Sequence, residues 1–396
     1  MTPFVSVAVP VPALDLLTYL VPDGTPAPVV GARVVVPIGS RQVTGIVVAH
    51  TRVAPADVPA SGLRPITRVL DDRPFVPSDV VELASWTATY YAAGAGETIT
   101  AVLPPKTRGE RADSHRTRRL TAITTAGLAV IEPGDATATA VTPKQREALQ
   151  VLSGVPDGLR TPDLSARGVT AAVLSRLLKL GLVSVRREIV ERDPFEASRF
   201  AAPPVDAARR LTGEQMTALD RLTALADARA FKVALLHGVT GSGKTEVYLR
   251  LAAAVRRGGR RVLMLVPEIA LTPAVSALFQ QAFGREVAVQ HSGLSDGERH
   301  DQWQRIRAGE VGVVVGTRSA VFTPLENVGL IIVDEEHDTS YKQDEAPRYN
   351  GRDVAIVRGQ RAAALVVLGS ATPSMETYHH AVGGKYDRLV LARRVH

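Results

Sequence analysis

The chain has no cysteine in its 396 residues. That excludes a disulfide framework, a Cys-based zinc site and a thiolate nucleophile, and no zinc is expected. Long hydrophobic runs are also lacking: every apolar stretch falls well short of the roughly 18 residues a membrane span needs. The N-terminus, Met1-Thr2-Pro3-Phe4-Val5-Ser6-Val7-Ala8-Val9-Pro10, lacks the charged start and apolar core of a signal peptide. A cytoplasmic, nucleoid-associated protein with no membrane partner is the expectation. Aromatic residues make up only 5%, whereas hydrophobic residues reach 45%, as in a soluble globular chain. Acidic excess is absent too. The formal net charge is +7, which suits a polyanionic partner, although an arginine-favouring genome produces the same balance. The length points to about two to four domains.

What is present centres on Gly238-Val239-Thr240-Gly241-Ser242-Gly243-Lys244-Thr245, which fits the phosphate-binding pattern G-x-x-x-x-G-K-[ST]. Val233-Ala234-Leu235-Leu236-His237 before it reads as a buried strand, and residues 246–255 after it read as a helix. In that context Gly238, Gly241 and Gly243 let backbone N–H groups turn toward a phosphate chain at a helix N-terminus. Lys244 can reach the β- and γ-phosphates of ATP, and the Thr245 hydroxyl can sit on Mg²⁺. About ninety residues on, Gly329-Leu330-Ile331-Ile332-Val333 runs into Asp334-Glu335-Glu336-His337-Asp338. This predicts a buried parallel strand delivering carboxylates to the ligand-binding edge of an α/β sheet. Asp334 would hold the Mg²⁺ shell and Glu335 would polarise a water, while Glu336 is read as supporting or superficial.

Three further segments repeat the layout of a buried strand followed by a small polar loop. Arg261-Val262-Leu263-Met264-Leu265-Val266 precedes Pro267-Glu268-Ile269-Ala270-Leu271-Thr272-Pro273, Val311-Gly312-Val313-Val314-Val315 precedes Gly316-Thr317-Arg318-Ser319-Ala320, and Leu365-Val366-Val367-Leu368-Gly369 precedes Ser370-Ala371-Thr372-Pro373-Ser374. Thr317, Arg318 and Ser319 can donate to nucleic-acid phosphates along that edge. Ser370 and Thr372 could couple the two sites. Upstream, Gln215 offers an amide to the adenine edge.

The rest divides into residues 1–105, a β-rich DNA-binding domain; 106–140, a basic linker; 141–200, a winged helix; and 201–396, the P-loop lobe. Short strands at residues 5–9, 18–21, 31–37, 42–49 and 66–70 suggest a small barrel or open sheet. A helix with Ser78 or Asp79 as N-cap then carries Trp86, Tyr90 and Tyr91 at core spacing. Residues 106–119 read as a solvated, charge-rich run. Thr142-Pro143 opens the first of three helices, with Pro143 at the first helical position. The third helix carries Ser175, Arg176 and Lys179, and the strand at 182–190 could turn into a wing. DNA contact and protein docking both remain open for it. Pro203-Pro204 marks a hinge before the α/β domain.

Together these phrases resemble the first motor lobe of a superfamily 2 DNA helicase, a RecA-like parallel-sheet lobe. More narrowly they resemble the primosomal protein N′ family of replication-restart helicases. The narrow likeness rests on Gly238-Val239-Thr240-Gly241-Ser242-Gly243-Lys244-Thr245-Glu246-Val247-Tyr248, Leu265-Val266-Pro267-Glu268-Ile269-Ala270-Leu271-Thr272-Pro273, His291-Ser292-Gly293-Leu294-Ser295-Asp296-Gly297-Glu298-Arg299 and Asp334-Glu335-Glu336-His337-Asp338. The segment from Ser340-Tyr341-Lys342-Gln343 to Pro347-Arg348-Tyr349 looks like the family's aromatic-rich loop, which couples DNA binding to ATP hydrolysis. There Tyr341, Lys342, Arg348 and Tyr349 interleave rings and cations, which suits stacking on unpaired bases. Val9-Pro10-Val11-Pro12, Tyr19-Leu20-Val21-Pro22 and residues 31–37 resemble the family's N-terminal domain, which grips a 3′ end at a fork. Leu17-Thr18 stands where the family has Phe-Asp.

The resemblance implies ATP with Mg²⁺ as cofactors and 3′ to 5′ helicase activity. It implies branched and single-stranded DNA as substrates, and primosome, helicase-loader and single-stranded DNA-binding proteins as partners. The 396 residues carry neither a second motor lobe nor the family's Cys-rich module. A fragment or a shortened homologue is therefore expected, lacking the arginine and the second DNA grip that turnover and translocation use. Three readings stand: a replication-restart motor seen through its N-terminal part, a non-catalytic fork-recognition platform, and another superfamily 2 translocase.

Overall fold

Six of the seven strands of the C-terminal half come from valine- and leucine-rich runs apolar on both faces, the pattern of a strand covered above and below by helices, while the edge strand Asp387–Leu391 is partly exposed. The computed structural model describes residues 4–11, 14–53, 62–104, 116–131, 141–190, 192, 194, 210–268 and 273–395. Its contacts divide into two units, one of Met1–Ser114 with Asp193–His396 and one of His115–Arg192. The Pro203-Pro204 hinge and most of the residues after Glu268 up to Pro273 lie outside the described residues, as does Pro12. Among the described residues no helix is long and apolar enough to cross a membrane.

The first unit opens with an antiparallel sheet of β1 (Phe4–Ala8), β2 (Leu17–Leu20), β3 (Arg33–Ile38), β4 (Arg41–Thr51) and β5 (Arg68–Val69). Its order β2-β1-β4-β3-β5 leaves it an open sheet. Two helices follow, α1 (Ser78–Tyr90) and α2 (Ala95–Ala101). The N-cap of α1 is Pro77, with no side-chain hydrogen bond, rather than Ser78 or Asp79. Proline is preset for that position and the helix begins directly after it. Tyr90 is 66% exposed and stacks on Trp86 at 4.8 Å, so it is a surface ring and not the core residue its spacing suggests. A buried Arg33 forks onto Asp71 with two 2.8 Å contacts and lies 3.7 Å from the Phe75 ring centroid. Phe75 in turn stacks on Trp303 at 4.8 Å, which joins this region to the parallel lobe in one core.

The second unit contains β6 (Arg116–Ile123), α3 (Thr125–Ile131), α4 (Pro143–Ser153), β7 (Leu159–Arg160), α5 (Thr161–Ala166), α6 (Ala171–Lys179) and β8 (Val183–Val190). Thr142 caps α4 with a full capping box through Gln145, and Pro143 stands in its first turn. The basic run differs from its reading as a linker. Residues 105–115 lie outside the described residues, but Arg116–Ile123 is a strand paired antiparallel with β8 along its whole length. Burial changes along the strand: Arg118 and Arg119 are exposed, with Arg118 meeting Glu188 at 2.5 Å, while Leu120, Thr121 and Ala122 further on are buried. The strand at 183–190 therefore pairs with an upstream segment, in the order β7-β6-β8. Ser175, Arg176 and Lys179 are all exposed on α6.

The parallel lobe contains α7 (Gly213–Asp227), β9 (Lys232–Gly238), α8 (Lys244–Arg257), β10 (Arg261–Leu265), α9 (Pro273–Phe283), β11 (Val287–Gln290), α10 (Asp296–Arg307), β12 (Val313–Gly316), β13 (Val328–Val333), α11 (Gly351–Arg361), β14 (Leu365–Ser370), α12 (Met375–Val382) and β15 (Asp387–Leu391). The strand order is β11-β12-β10-β13-β14-β9-β15, with every pairing parallel. All strand C-termini therefore open on one edge.

Candidate nucleotide and nucleic-acid site

At that edge β9 ends on Gly238 and α8 starts at Lys244. Gly241 and Gly243 both adopt φ 80°, a left-handed conformation that favours glycine. A Cβ at Gly243 would stand 2.3 Å from the Gln215 amide nitrogen, so the close approach itself requires glycine there. Lys244 is buried. Its Nζ donates to the Gly238 carbonyl at 3.0 Å and lies 3.3 Å from Glu335 Oε1. Thr245 is half-buried in the first turn of α8. Gln215 is placed differently from its reading as an adenine-facing amide. It is 3% exposed, its Oε1 accepts from Thr212 N at 2.9 Å, and its Nε2 donates to the Ser242 carbonyl at 2.8 Å. The capping-box geometry of α7 draws the amide inward, where it ties the loop to that helix.

The carboxylates follow the fully buried β13. Asp334 Oδ1 accepts from the Tyr248 hydroxyl at 3.0 Å, and its backbone carbonyl accepts from the Tyr341 hydroxyl at 2.6 Å. Burial and then the neighbouring Glu335 charge push the Asp334 carboxyl upward, opposed by Tyr248 and Lys244. Burial first, and then the Asp334 charge, hold the Tyr248 phenol well above its ordinary range, so it stays a donor. Glu335 sits at φ 43° and faces both Lys244 and His337, whose Nδ1 is 3.7 Å from its Oε2. His337 also meets Ser370 Oγ at 2.8 Å and Thr372 Oγ1 at 3.2 Å. Ser370 and Thr372 thus contact the acidic segment through this ring.

Glu336 is not superficial. Its side chain is fully buried and accepts from Arg352 Nη1 at 3.0 Å, Ser374 N at 2.7 Å, Ser374 Oγ at 3.1 Å and Thr377 Oγ1 at 2.9 Å. Four converging donors make an internal carboxylate tolerable.

The second group lies beside β12. Thr317 is buried, Arg318 half-buried and Ser319 exposed. Arg318 Nη1 donates to the carbonyls of Ser340 at 2.9 Å and Lys342 at 2.8 Å, so it holds the loop that carries Tyr341. The alternation of rings and cations separates by burial. Tyr341 and Tyr349 are 1% and 2% exposed, with Tyr349 set edge-on to Phe322 at 5.3 Å, whereas Lys342 and Arg348 face solvent. Neither ring is presented to a base: the apolar setting claims both rings and leaves only the cations outside. Tyr248 was missed as a site residue because four residues past Lys244 it reads as ordinary helix core.

The residues fit a Mg²⁺–nucleotide on two observations: the left-handed glycine cradle, and the buried Ser242 Oγ, which has no partner. Gly238, Gly241, Gly243, Lys244 and Thr245 would hold phosphates, and Thr245 and Asp334 would hold the metal. Among the described residues no three His, Cys, Asp or Glu side chains cluster for a metal.

A parallel sheet with a P-loop after one strand and an acidic pair after the next strand but one defines a P-loop motor lobe of the helicase type. The family described as DEAD/DEAH box helicase matches residues 214–381, and such a domain uses nucleotide, typically with Mg²⁺. The family described as 3'DNA-binding domain (3'BD) matches residues 6–104. Replication restart protein PriA of Haemophilus influenzae is 39% identical over 98% of this chain and 52% of its own length. PriA of Bacillus subtilis is 45% identical over 64% of this chain and 31% of its own length, and that of Treponema pallidum is 34% identical over 92% and 43%. The chain belongs to the PriA family of replication restart proteins. It spans about half the length of the curated relatives it matches.

Proposed function

We propose that this chain binds ATP with Mg²⁺ in the P-loop lobe and engages branched and single-stranded DNA in replication restart, the activity named for its relatives. The observation carrying this reading is the convergence of Lys244, Glu335 and Asp334 at one sheet edge, in a chain whose residues 6–104 match a 3'DNA-binding domain. Bound Mg²⁺–ATP would supply a phosphoanhydride ready for transfer to water. Lys244 would leave the Gly238 carbonyl and Glu335 for the phosphates. Freed from that ion pair, Glu335 is the base able to take a proton from a water, with His337 behind it. Asp334 and Thr245 would share the metal. Ser319, Lys342, Arg348 and the Arg318 face would meet backbone phosphates of the DNA. Helicase-loader and other primosome proteins, and a single-stranded DNA-binding protein, are the protein partners this role calls for.

The test pairs fluorescent-nucleotide titration with forked-DNA anisotropy. Mg²⁺-dependent nucleotide binding that is weakened about 100-fold in Lys244→Ala, and tightened or weakened by fork DNA, is the expected result. Absence of any nucleotide binding would overturn the reading. The 3'BD match favours one alternative: a platform whose fork affinity is the same in wild type and Lys244→Ala and is indifferent to nucleotide.

A further inference from the structure

Tyr248 lies on the inner face of α8 with its ring in the core beneath the sheet, and no part of it reaches solvent. A phenylalanine would fill the same apolar space, and a buried hydroxyl without a partner is costly. Among the described residues this hydroxyl has one hydrogen-bond partner, Asp334 Oδ1, to which it donates at 3.0 Å. The opposite wall is adapted to it. A Cβ at Gly369 would stand 1.7 Å from the Tyr248 hydroxyl and 3.3 Å from Asp334 Oδ1. Gly369 has an ordinary backbone conformation, so its lack of a side chain answers to space rather than to φ. Three segments distant in sequence are thus shaped around one contact: the helix after the P-loop, the acidic segment after β13, and the end of β14.

We propose that Tyr248 is a positioning residue for the metal-binding carboxylate. By occupying Oδ1 it fixes the Asp334 rotamer and reserves Oδ2 for the Mg²⁺ of a bound nucleotide, and Gly369 exists to let the phenol reach. The inference rests on the reading of Asp334 as a metal ligand. Outer hydrogen bonds of this kind set ligand orientation, and their loss costs about tenfold or more in metal affinity.

The experiment measures the Mg²⁺ midpoint for binding of a fluorescent ADP analogue, with the metal-free affinity of the same analogue measured in EDTA. Tyr248→Phe is expected to raise the midpoint about tenfold and to leave the metal-free affinity unchanged. Gly369→Ala, which displaces the hydroxyl without removing it, is expected to raise the midpoint in the same direction. Combined with Tyr248→Phe it should add little. A merely structural Tyr248 would weaken binding equally with and without metal, which overturns the proposal. So does an unchanged midpoint in Tyr248→Phe while Asp334→Asn shifts it, and that result leaves the site reading standing. An unchanged midpoint in Asp334→Asn overturns both.

Discussion

The loops after β13 and β12 open on the same edge of one sheet, yet they treat their polar groups in opposite ways. After β13, Asp334, Glu335 and Glu336 are each engaged by named donors from other elements: two tyrosine hydroxyls, a lysine, an arginine and helix α12. After β12, Arg318 spends its donors on backbone carbonyls, and the exposed groups beside it, Ser319, Lys342 and Arg348, stand at the surface. The first loop is built to hold charge in fixed geometry. The second holds a neighbouring loop in place and leaves its cations at the surface.

Substitutions on both sides, and one pH titration, break or sharpen that contrast. The largest effect is expected for Glu336→Ala. It removes one partner of the half-buried Arg352, which keeps Asp353, and the acceptor of three further donors, and should cost about 3 to 5 kcal/mol in a urea unfolding titration. If the segment behaved like the β12 side, the cost would stay within about 0.5 kcal/mol. Lys244→Ala comes next. Loss of one charge-assisted phosphate contact is expected to weaken nucleotide binding by about 100-fold in equilibrium titration, with unfolding stability little changed. On the β12 side, Lys342→Ala and Arg348→Ala are each expected to weaken single-stranded DNA binding a few-fold and to flatten the salt slope by about 0.7. Tyr349→Ala should lower stability by about 3 kcal/mol without changing that slope. A ring that stacks on bases would give the reverse pair of results.

The smallest effect is a pH response at His291, in the segment after β11. Burial depresses its pKa, with Glu298 opposing and Arg299 assisting. The unfolded chain therefore binds the proton more readily than the folded one. The associated stability is present above the ordinary histidine range. It is lost as pH falls from about 6.5 toward the depressed folded value. A shallow fall in melting temperature below about pH 6.5, abolished in His291→Gln, is the expected outcome by calorimetry.

The nucleotide side was legible in the sequence because its signals are local. Glycine spacing, a preceding apolar run and a following helix sit within about twenty residues, and β13 announces itself by unbroken apolar residues ending in acid. The capping boxes at Thr142 and Thr212 are equally local. What escaped was set by distant partners. Arg116–Ile123 looks like a charged linker until β8 supplies a mate for its charges. Tyr341 and Tyr349 alternate with cations just as a stacking platform would, and only packing against Asp334 and Phe322 shows that the rings point inward. Glu336 and Tyr248 carry no local mark, because each is defined by side chains from other strands and helices.

The strand order carries one last consequence, for how the protein is made. The P-loop strand β9 is flanked by β14 on one side and β15 on the other. Those neighbours are residues Leu365–Ser370 and Asp387–Leu391, more than a hundred residues later in synthesis. A nascent chain that has emerged only to α11 holds a finished phosphate motif on a strand with both edges bare. Closing so long a loop is slow, and unpaired parallel strands are exposed to misassociation in the interval. The phosphate motif thus leaves the ribosome well before the strands that complete its sheet.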